Sequence, residues 1–207
     1  IGGVDAMQNC LDFIKLNPTK KAIVVTTDFA KYNLNSTGEY TQGAGAVAIL
    51  ISANPRIIAF ENHWGVSTKG VFDFFKPYRT ISKQEITGNN NNEAWFDNLE
   101  DEIEIHKDQP VFDGQYSNQC YMDRTKDAYF AFKKEKNTSE TIYDNWKSIV
   151  MHLPYAFQGR RMLTEIYALD ATEAVITGNE TPEEYQNKLK EISKTPAYQD
   201  FVSQKLQ

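Results

Sequence analysis

The chain has little of what would place it in several large function classes. It carries only two cysteines, Cys10 and Cys120, too few for a disulfide framework, so a reducing cytoplasm is the default expectation. Basic residues are not in excess. Lys and Arg total 22 against 28 Asp and Glu, and the net charge of -6 argues against nucleic acid as a partner, since that affinity rests on basic surface. No apolar run reaches the length of a membrane span and no signal peptide opens the chain, so no membrane association is expected. No initiator methionine precedes Ile1-Gly2-Gly3, which already reads as the beginning of a helix; a fragment is expected. What is present, 41% hydrophobic and 24% charged residues over 207 positions, suffices for one large core or two small ones.

Apolar residues at helical spacing from Val4 to Ile14 predict a helix stopped by Asn17-Pro18. The β-branched run Lys21 to Thr27 predicts a buried strand, and Asp28 to Thr41 a polar loop at its end. A second buried strand is expected from Gly43 to Ile51, opened by small residues that allow close backbone approach, and a third from Arg56 to Glu61. Thr80 to Gln109, with Asn89-Asn90-Asn91-Asn92 in its middle, has the composition of a solvated excursion that Trp95 and Phe96 could anchor. Helical periodicity returns from Ser117 to Lys133, and the stripe through Tyr121, Thr125, Tyr129 and Phe132 reads as core packing. A short helix opens at Ser139-Glu140, a strand runs from Ser148 into His152, and a helix spans about Tyr155 to Leu169. Beyond Asp170 the chain is acidic and helical, with Thr181-Pro182-Glu183-Glu184 a helix start. Helix, strand, loop and strands in succession indicate an α/β layered fold.

His152 stands at the end of an apolar run and just before Gln158-Gly159-Arg160-Arg161. An imidazole at a strand end that opens into a basic helix start suits an anionic ligand. A His that satisfies a local hydrogen bond reads equally from spacing alone.

Five blocks together resemble hydroxymethylglutaryl-CoA synthase, a condensing enzyme of the thiolase superfamily. They are Thr27 to Tyr32, Thr41 to Ala48, Phe72 to Pro77, Asp113 to Ser117 with Gln119-Cys120-Tyr121, and His152 to Tyr155, in the family's order. The resemblance implies part of a thiolase-like α/β/α/β/α fold of mixed sheets packed with helices. Residues 1–77 would end its N-terminal half and 78–112 form a polar insertion. Residues 113–207 would give a helical connection and the start of the C-terminal half. It also implies a condensation of acetyl-CoA with acetoacetyl-CoA, giving 3-hydroxy-3-methylglutaryl-CoA and CoA through an acetyl-Cys intermediate. That reaction belongs to the mevalonate route to isoprenoids. No metal and no cofactor is implied, CoA thioesters being substrates; a cytoplasmic homodimer is expected of the intact enzyme.

By that resemblance His152 holds and polarises the acetoacetyl carbonyl. Asp28, Tyr32, Thr41 and Asp73 match positions lining the acyl pocket, with Tyr32 the best placed to order the acetyl group, and Asp28 and Asp73 open between structural and catalytic roles. Asn35, Ser117 and Pro154 match substrate-contacting positions. Arg160 and Arg161 fall where the family keeps lysines near the CoA phosphates, a task guanidinium can perform. Counting back along the match puts the nucleophilic Cys one place before Ile1 and the acid/base Glu earlier still. Cys10 and Cys120 read as small apolar residues instead. Two features depart from the family: Phe157 stands where a Lys is usual, and the excursion of residues 80–109 is longer than expected. Two alternatives stay open: a related enzyme acting on acyl groups held by an acyl carrier protein, and a non-catalytic interaction protein built on the same scaffold.

Overall fold

The first element forms where apolar residues repeat at helical spacing. In the computed structural model, which describes residues 2–36, 38–39, 42–88, 101–155, 157–170 and 179–206, helix α1 runs over Gly2–Leu16. Ala6, Met7, Cys10, Leu11 and Ile14 share one face and pack with Ala22, Val24 and Ile51. Asn17 ends the helix as expected: its backbone N–H and its side-chain amide both donate to the Phe13 carbonyl at 3.0 Å, and Pro18 has no N–H to continue.

The chain divides into two compact units, Ile1–Glu61 with Phe75–Val111, and Asn62–Phe74 with Phe112–Gln207. In the first, β1 (Lys21–Phe29) and β2 (Ala44–Ser52) pair antiparallel, from Lys21 opposite Ser52 to Phe29 opposite Ala44. Both strands were expected to be buried, and the structure covers one face only. Val24 and Ile51, under α1, are 3% and 5% exposed; Ile23, Val25 and Leu50 on the other face are 65%, 64% and 61% exposed. A single helix can cover only one side of a pleated pair. The expected third strand at Arg56 to Glu61 is also absent. The segment is irregular and Ile57 and Ile58 are exposed, because among the described residues no strand lies beside it to supply a ladder.

The polar excursion is more ordered than its composition suggests. Tyr78–Ser82 (β3) and Glu102–His106 (β4) pair antiparallel, from Tyr78 opposite His106 to Ser82 opposite Glu102. Between them Lys83–Thr87 (α2) is held by a capping box, Ser82 accepting from the Glu85 N–H while the Glu85 carboxylate accepts from the Ser82 N–H. Gly88 then takes a left-handed φ of 66°, closing the turn. Alternation of Ile103 and Ile105 with Glu102, Glu104 and His106 was the overlooked strand signal. Asn89 to Asn92, Trp95 and Phe96 lie outside the described residues.

The second unit is built on helices. Asp113 caps α3 (Gly114–Glu135), its carboxylate accepting from the N–H groups of Gln115 and Tyr116 at 2.9 and 3.0 Å. Helix α4 (Gln158–Asp170) packs against α3, α5 (Pro182–Lys194) and α6 (Pro196–Lys205) and is buried along most of its length. Its Leu163 and Ile166 meet Tyr129, Tyr143, Ile149, Tyr198, Phe201 and Val202 in one core. The helix start expected at Thr181-Pro182 is found, and the structure adds a capping box between Thr181 and Glu184.

Three expectations change here. The short helix towards Trp146 is a single 3₁₀ turn, Tyr143–Asn145, too short to continue because Tyr143 is drawn into the core. The strand into His152 reduces to one parallel bridge, Ile149 with Leu206. Ile149 is buried and its N–H donates to the Lys205 carbonyl at 2.6 Å, whereas Val150 beyond it is exposed. The following helix starts at Gln158 rather than near Tyr155, since Pro154 and the bends around it precede the first helical turn.

Candidate functional site

The candidates fall into two groups, one in each unit. In the second unit His152 is exposed on an irregular segment between the Ile149 bridge and α4. The Tyr121 hydroxyl of α3 donates to the His152 carbonyl at 2.8 Å, and the two rings lie 6.3 Å apart. Ser117 is one turn before Tyr121 on the same helix face, so α3 presents both towards this region. Burial pushes the Tyr121 hydroxyl up from its ordinary value, which keeps it a donor.

Asp73 joins this group through the α3 cap. The Asp113 N–H donates to the Asp73 carbonyl at 3.1 Å, and the Ser117 N–H to the Asp113 carbonyl at 2.8 Å. The Tyr116 hydroxyl is pushed up, first by its hydrogen bond with the Cys120 thiol and least by the Asp73 carboxylate. The segment carrying Asp73 lies against α3. Arg124 Nη1 donates to Ser67 Oγ at 2.7 Å, and a Cβ at Gly65 would come 2.0 Å from the Ala128 carbonyl oxygen.

Arg160 and Arg161 occupy the first turn of α4, where the helix end also favours anions. A cavity of about 300 Å³ opens beside them, with Phe157 just before the helix, Thr164 on it, and Tyr198 and Gln199 on α6. Tyr198 donates to the Arg160 carbonyl, which ties that turn of α4 to α6, and accepts from the Thr164 hydroxyl at 2.9 Å. Burial raises the Tyr198 hydroxyl to about 12, against an opposing effect of the hydrogen bond with Thr164. Arg161 lies 5.7 Å from the Tyr155 ring centre, a cation–π distance. Pro154, exposed between His152 and Tyr155, has no N–H of its own to bond.

The first unit places Asp28 near the end of β1, opposite Gly45, its carboxylate accepting from the Phe29 N–H at 2.8 Å. Asp28 lines a cavity of about 570 Å³ with Gly2, Gly3, Ala6, Thr26 and Gly45. These small side chains leave the N-terminal end of α1 open beside the sheet. Tyr32 stands close by: burial first and then the Asp28 carboxylate raise its hydroxyl. A Cβ at Gly38 would lie 2.2 Å from the Tyr32 ring, so only glycine lets the loop close over it. Asn35 adopts a left-handed φ of 62°, its N–H donating to the Glu39 carboxylate at 2.6 Å. Thr41 lies outside the described residues. Among the described residues no group of His, Cys, Asp or Glu could hold a metal ion.

Sequence reasoning missed Tyr121 as a partner of His152, and Tyr198 as the brace of Arg160. The two contacts join residues 31 and 38 apart, and local spacing left no signal for either.

Over 173 residues the chain is 32% identical to the hydroxymethylglutaryl-CoA synthase of Enterococcus faecalis, covering 84% of this chain and 37% of that protein. It is homologous to one part of the hydroxymethylglutaryl-CoA synthases. The Haloferax volcanii hydroxymethylglutaryl-CoA synthase is 27% identical over 157 residues, 75% of this chain and 28% of that protein. The chain thus spans about a third of the length of these curated relatives. Among solved structures, MvaS in complex with 3-hydroxy-3-methylglutaryl coenzyme A matches with a TM-score of 0.67 and 25% identity, over 96% of this chain and 43% of that one. PksG, a hydroxymethylglutaryl-CoA synthase from Bacillus subtilis, matches in fold with a TM-score of 0.66 at 17% identity, over 98% of this chain and 38% of that one. The fold is therefore α/β and thiolase-like. No protein-family model matches the chain.

Proposed function

We propose that the protein containing this chain is a hydroxymethylglutaryl-CoA synthase. It condenses acetyl-CoA with acetoacetyl-CoA and releases 3-hydroxy-3-methylglutaryl-CoA and CoA. The observation that carries this reading is the match to the Enterococcus faecalis synthase across 84% of the chain. In the reaction an acetyl group is carried on a cysteine thioester and loses a methyl proton. The resulting carbanion attacks the acetoacetyl ketone and water cleaves the product thioester.

His152 donates a hydrogen bond or proton to the ketone oxygen as it becomes an alkoxide. Tyr32 orders the acetyl group, and Asp28, beside it, shapes the same pocket. Ser117, Asn35, Pro154, Asp73 and the undescribed Thr41 contact the acyl and pantetheine groups. Arg160 and Arg161 hold the CoA phosphates; α6 supports their helix turn through Tyr198. The domain assignment proposed is an N-terminal half to residue 77, an insertion over 78–112 and the start of the C-terminal half from 113. The protein acts as a cytoplasmic homodimer without a cofactor. Relatives from Cricetulus griseus, Rattus norvegicus and Homo sapiens carry the designation cytoplasmic, and among the described residues no helix is long and apolar enough to cross a membrane.

The test is product analysis with the full-length protein. Acetyl-CoA and acetoacetyl-CoA should yield one equivalent of the branched acyl-CoA per turnover. Turnover only with acyl groups on a carrier protein would replace the CoA reading. No product from either carrier would remove the enzyme reading altogether.

A further inference from the structure

The segment that carries His152 has almost no backbone support of its own. Ile149 is the last residue before it whose backbone N–H is bonded to a neighbouring element, at the Lys205 carbonyl, and Met151 adds only side-chain packing against the core. Among the described residues, one hydrogen bond reaches the backbone from Val150 to Pro154, and it comes from the Tyr121 hydroxyl to the His152 carbonyl at 2.8 Å. Val150 is 84% exposed and Pro154 has no N–H, so neither holds the imidazole in place. The Tyr121 ring stands 6.3 Å from the His152 ring at 53°, a lateral wall as well as a tether. Helix α3, capped by Asp113 and buried at Tyr129, is a rigid base for that tether.

We propose that Tyr121 is the positioning residue of His152, its hydroxyl fixing the backbone from which the imidazole reaches the substrate. The proposal rests on the catalytic reading of His152 given above. Catalytic groups act only when held within a few tenths of an ångström of the productive geometry, and a carbonyl bonded to a rigid helix supplies that constraint. Tyr121 touches no reacting atom. It acts through the main chain of its neighbour, so loss of the hydroxyl should weaken one chemical step and leave the others intact.

The experiment uses the full-length enzyme with Tyr121→Phe, His152→Ala and, as a remote loss of a tyrosine hydroxyl, Tyr129→Phe. Three quantities are read: acetyl loading from acetyl-CoA, discharge of the acetyl-enzyme by acetoacetyl-CoA in a single turnover, and amide hydrogen exchange over residues 150–155. Tyr121→Phe should load normally, discharge about tenfold more slowly at saturating acetoacetyl-CoA, and exchange faster over 150–155 alone. Tyr129→Phe should lower thermal stability without separating loading from discharge. Normal discharge in Tyr121→Phe while His152→Ala fails to discharge overturns the proposal alone, as does a Tyr121→Phe defect equal in loading and discharge. Normal discharge in His152→Ala overturns the catalytic reading, and the role of Tyr121 falls with it.

Discussion

Lys133 and Asp170 form an ion pair with both side chains almost fully buried, 8% and 6% exposed. Tyr129 also donates to the Asp170 carboxylate, Lys133 reaches the Ser139 carbonyl at 3.3 Å, and the Thr141 hydroxyl donates to the Asp170 carbonyl at 2.5 Å. The group fastens the turn after α3 to the end of α4. Removing one partner leaves a buried charge without its counter-ion, a larger loss than removing both. Lys133→Met should therefore destabilise the second unit by about 3 kcal/mol, and Lys133→Met with Asp170→Leu should recover most of that, measured by urea unfolding. The same contrast of scales governs what could be read beforehand. His152, Ser117, Arg160 and Arg161 were named because their blocks resemble those of a family; residue type and local spacing alone marked only His152 beside a basic helix start. Tyr121 was read as core because its partner is 31 residues away, and nothing in a helical stripe marks which hydroxyl finds a distant carbonyl.

Elements followed local chemistry where that chemistry was complete. Helix α1 was legible from its apolar stripe and its Asn17-Pro18 stop, and α5 from its acidic Thr181-Pro182 start. The segments at Arg56 to Glu61 and Ser148 to His152 were misread as strands, since a β-branched run becomes a strand only where a partner supplies the ladder. The excursion failed in the opposite direction: its polar composition hid the alternation of β3 and β4, and the capping box at Ser82 pins the turn between them. Close packing of the Asn62–Phe74 segment on α3 was not visible at all, because it depends on the absence of a Cβ at Gly65. Gly65→Ala would drive a methyl into the Ala128 carbonyl and the Phe132 backbone. That variant should lose at least about 2 kcal/mol, with faster hydrogen exchange from Asn62 to Phe74 before any change in α5 and α6. Asp73 rides on that segment, so the same variant should also disturb the α3 cap.

At the scale of the molecule, the second unit concentrates tyrosines in its core and in its hydrogen bonds. Burial, as the first cause, raises the hydroxyls of Tyr129, Tyr143, Tyr185 and Tyr198 above the ordinary 10.0. Tyr129 and Tyr185 are raised further by the carboxylates they bond, Asp170 and Glu165. Once the pH passes 10, the unfolded chain releases these protons while the folded chain keeps them. The unfolded state then binds fewer protons, and stability falls as pH rises. Stability from this source is complete below pH 10 and is lost progressively above it. Urea midpoints taken at pH 8, 10 and 11 should fall steeply across the last interval, with tyrosinate absorbance appearing together with unfolding. A flat midpoint over that range would contradict the buried tyrosine core.

The role proposed for His152 begins after the acetyl group has been loaded, on the acetoacetyl ketone. It is tested most directly by intact mass spectrometry of the full-length His152→Ala enzyme, first with acetyl-CoA and then with acetoacetyl-CoA. The expected result is an acetyl adduct on a cysteine of the full-length enzyme, stable in the variant and discharged by acetoacetyl-CoA in the unmodified enzyme. An adduct that discharges equally in both would contradict it.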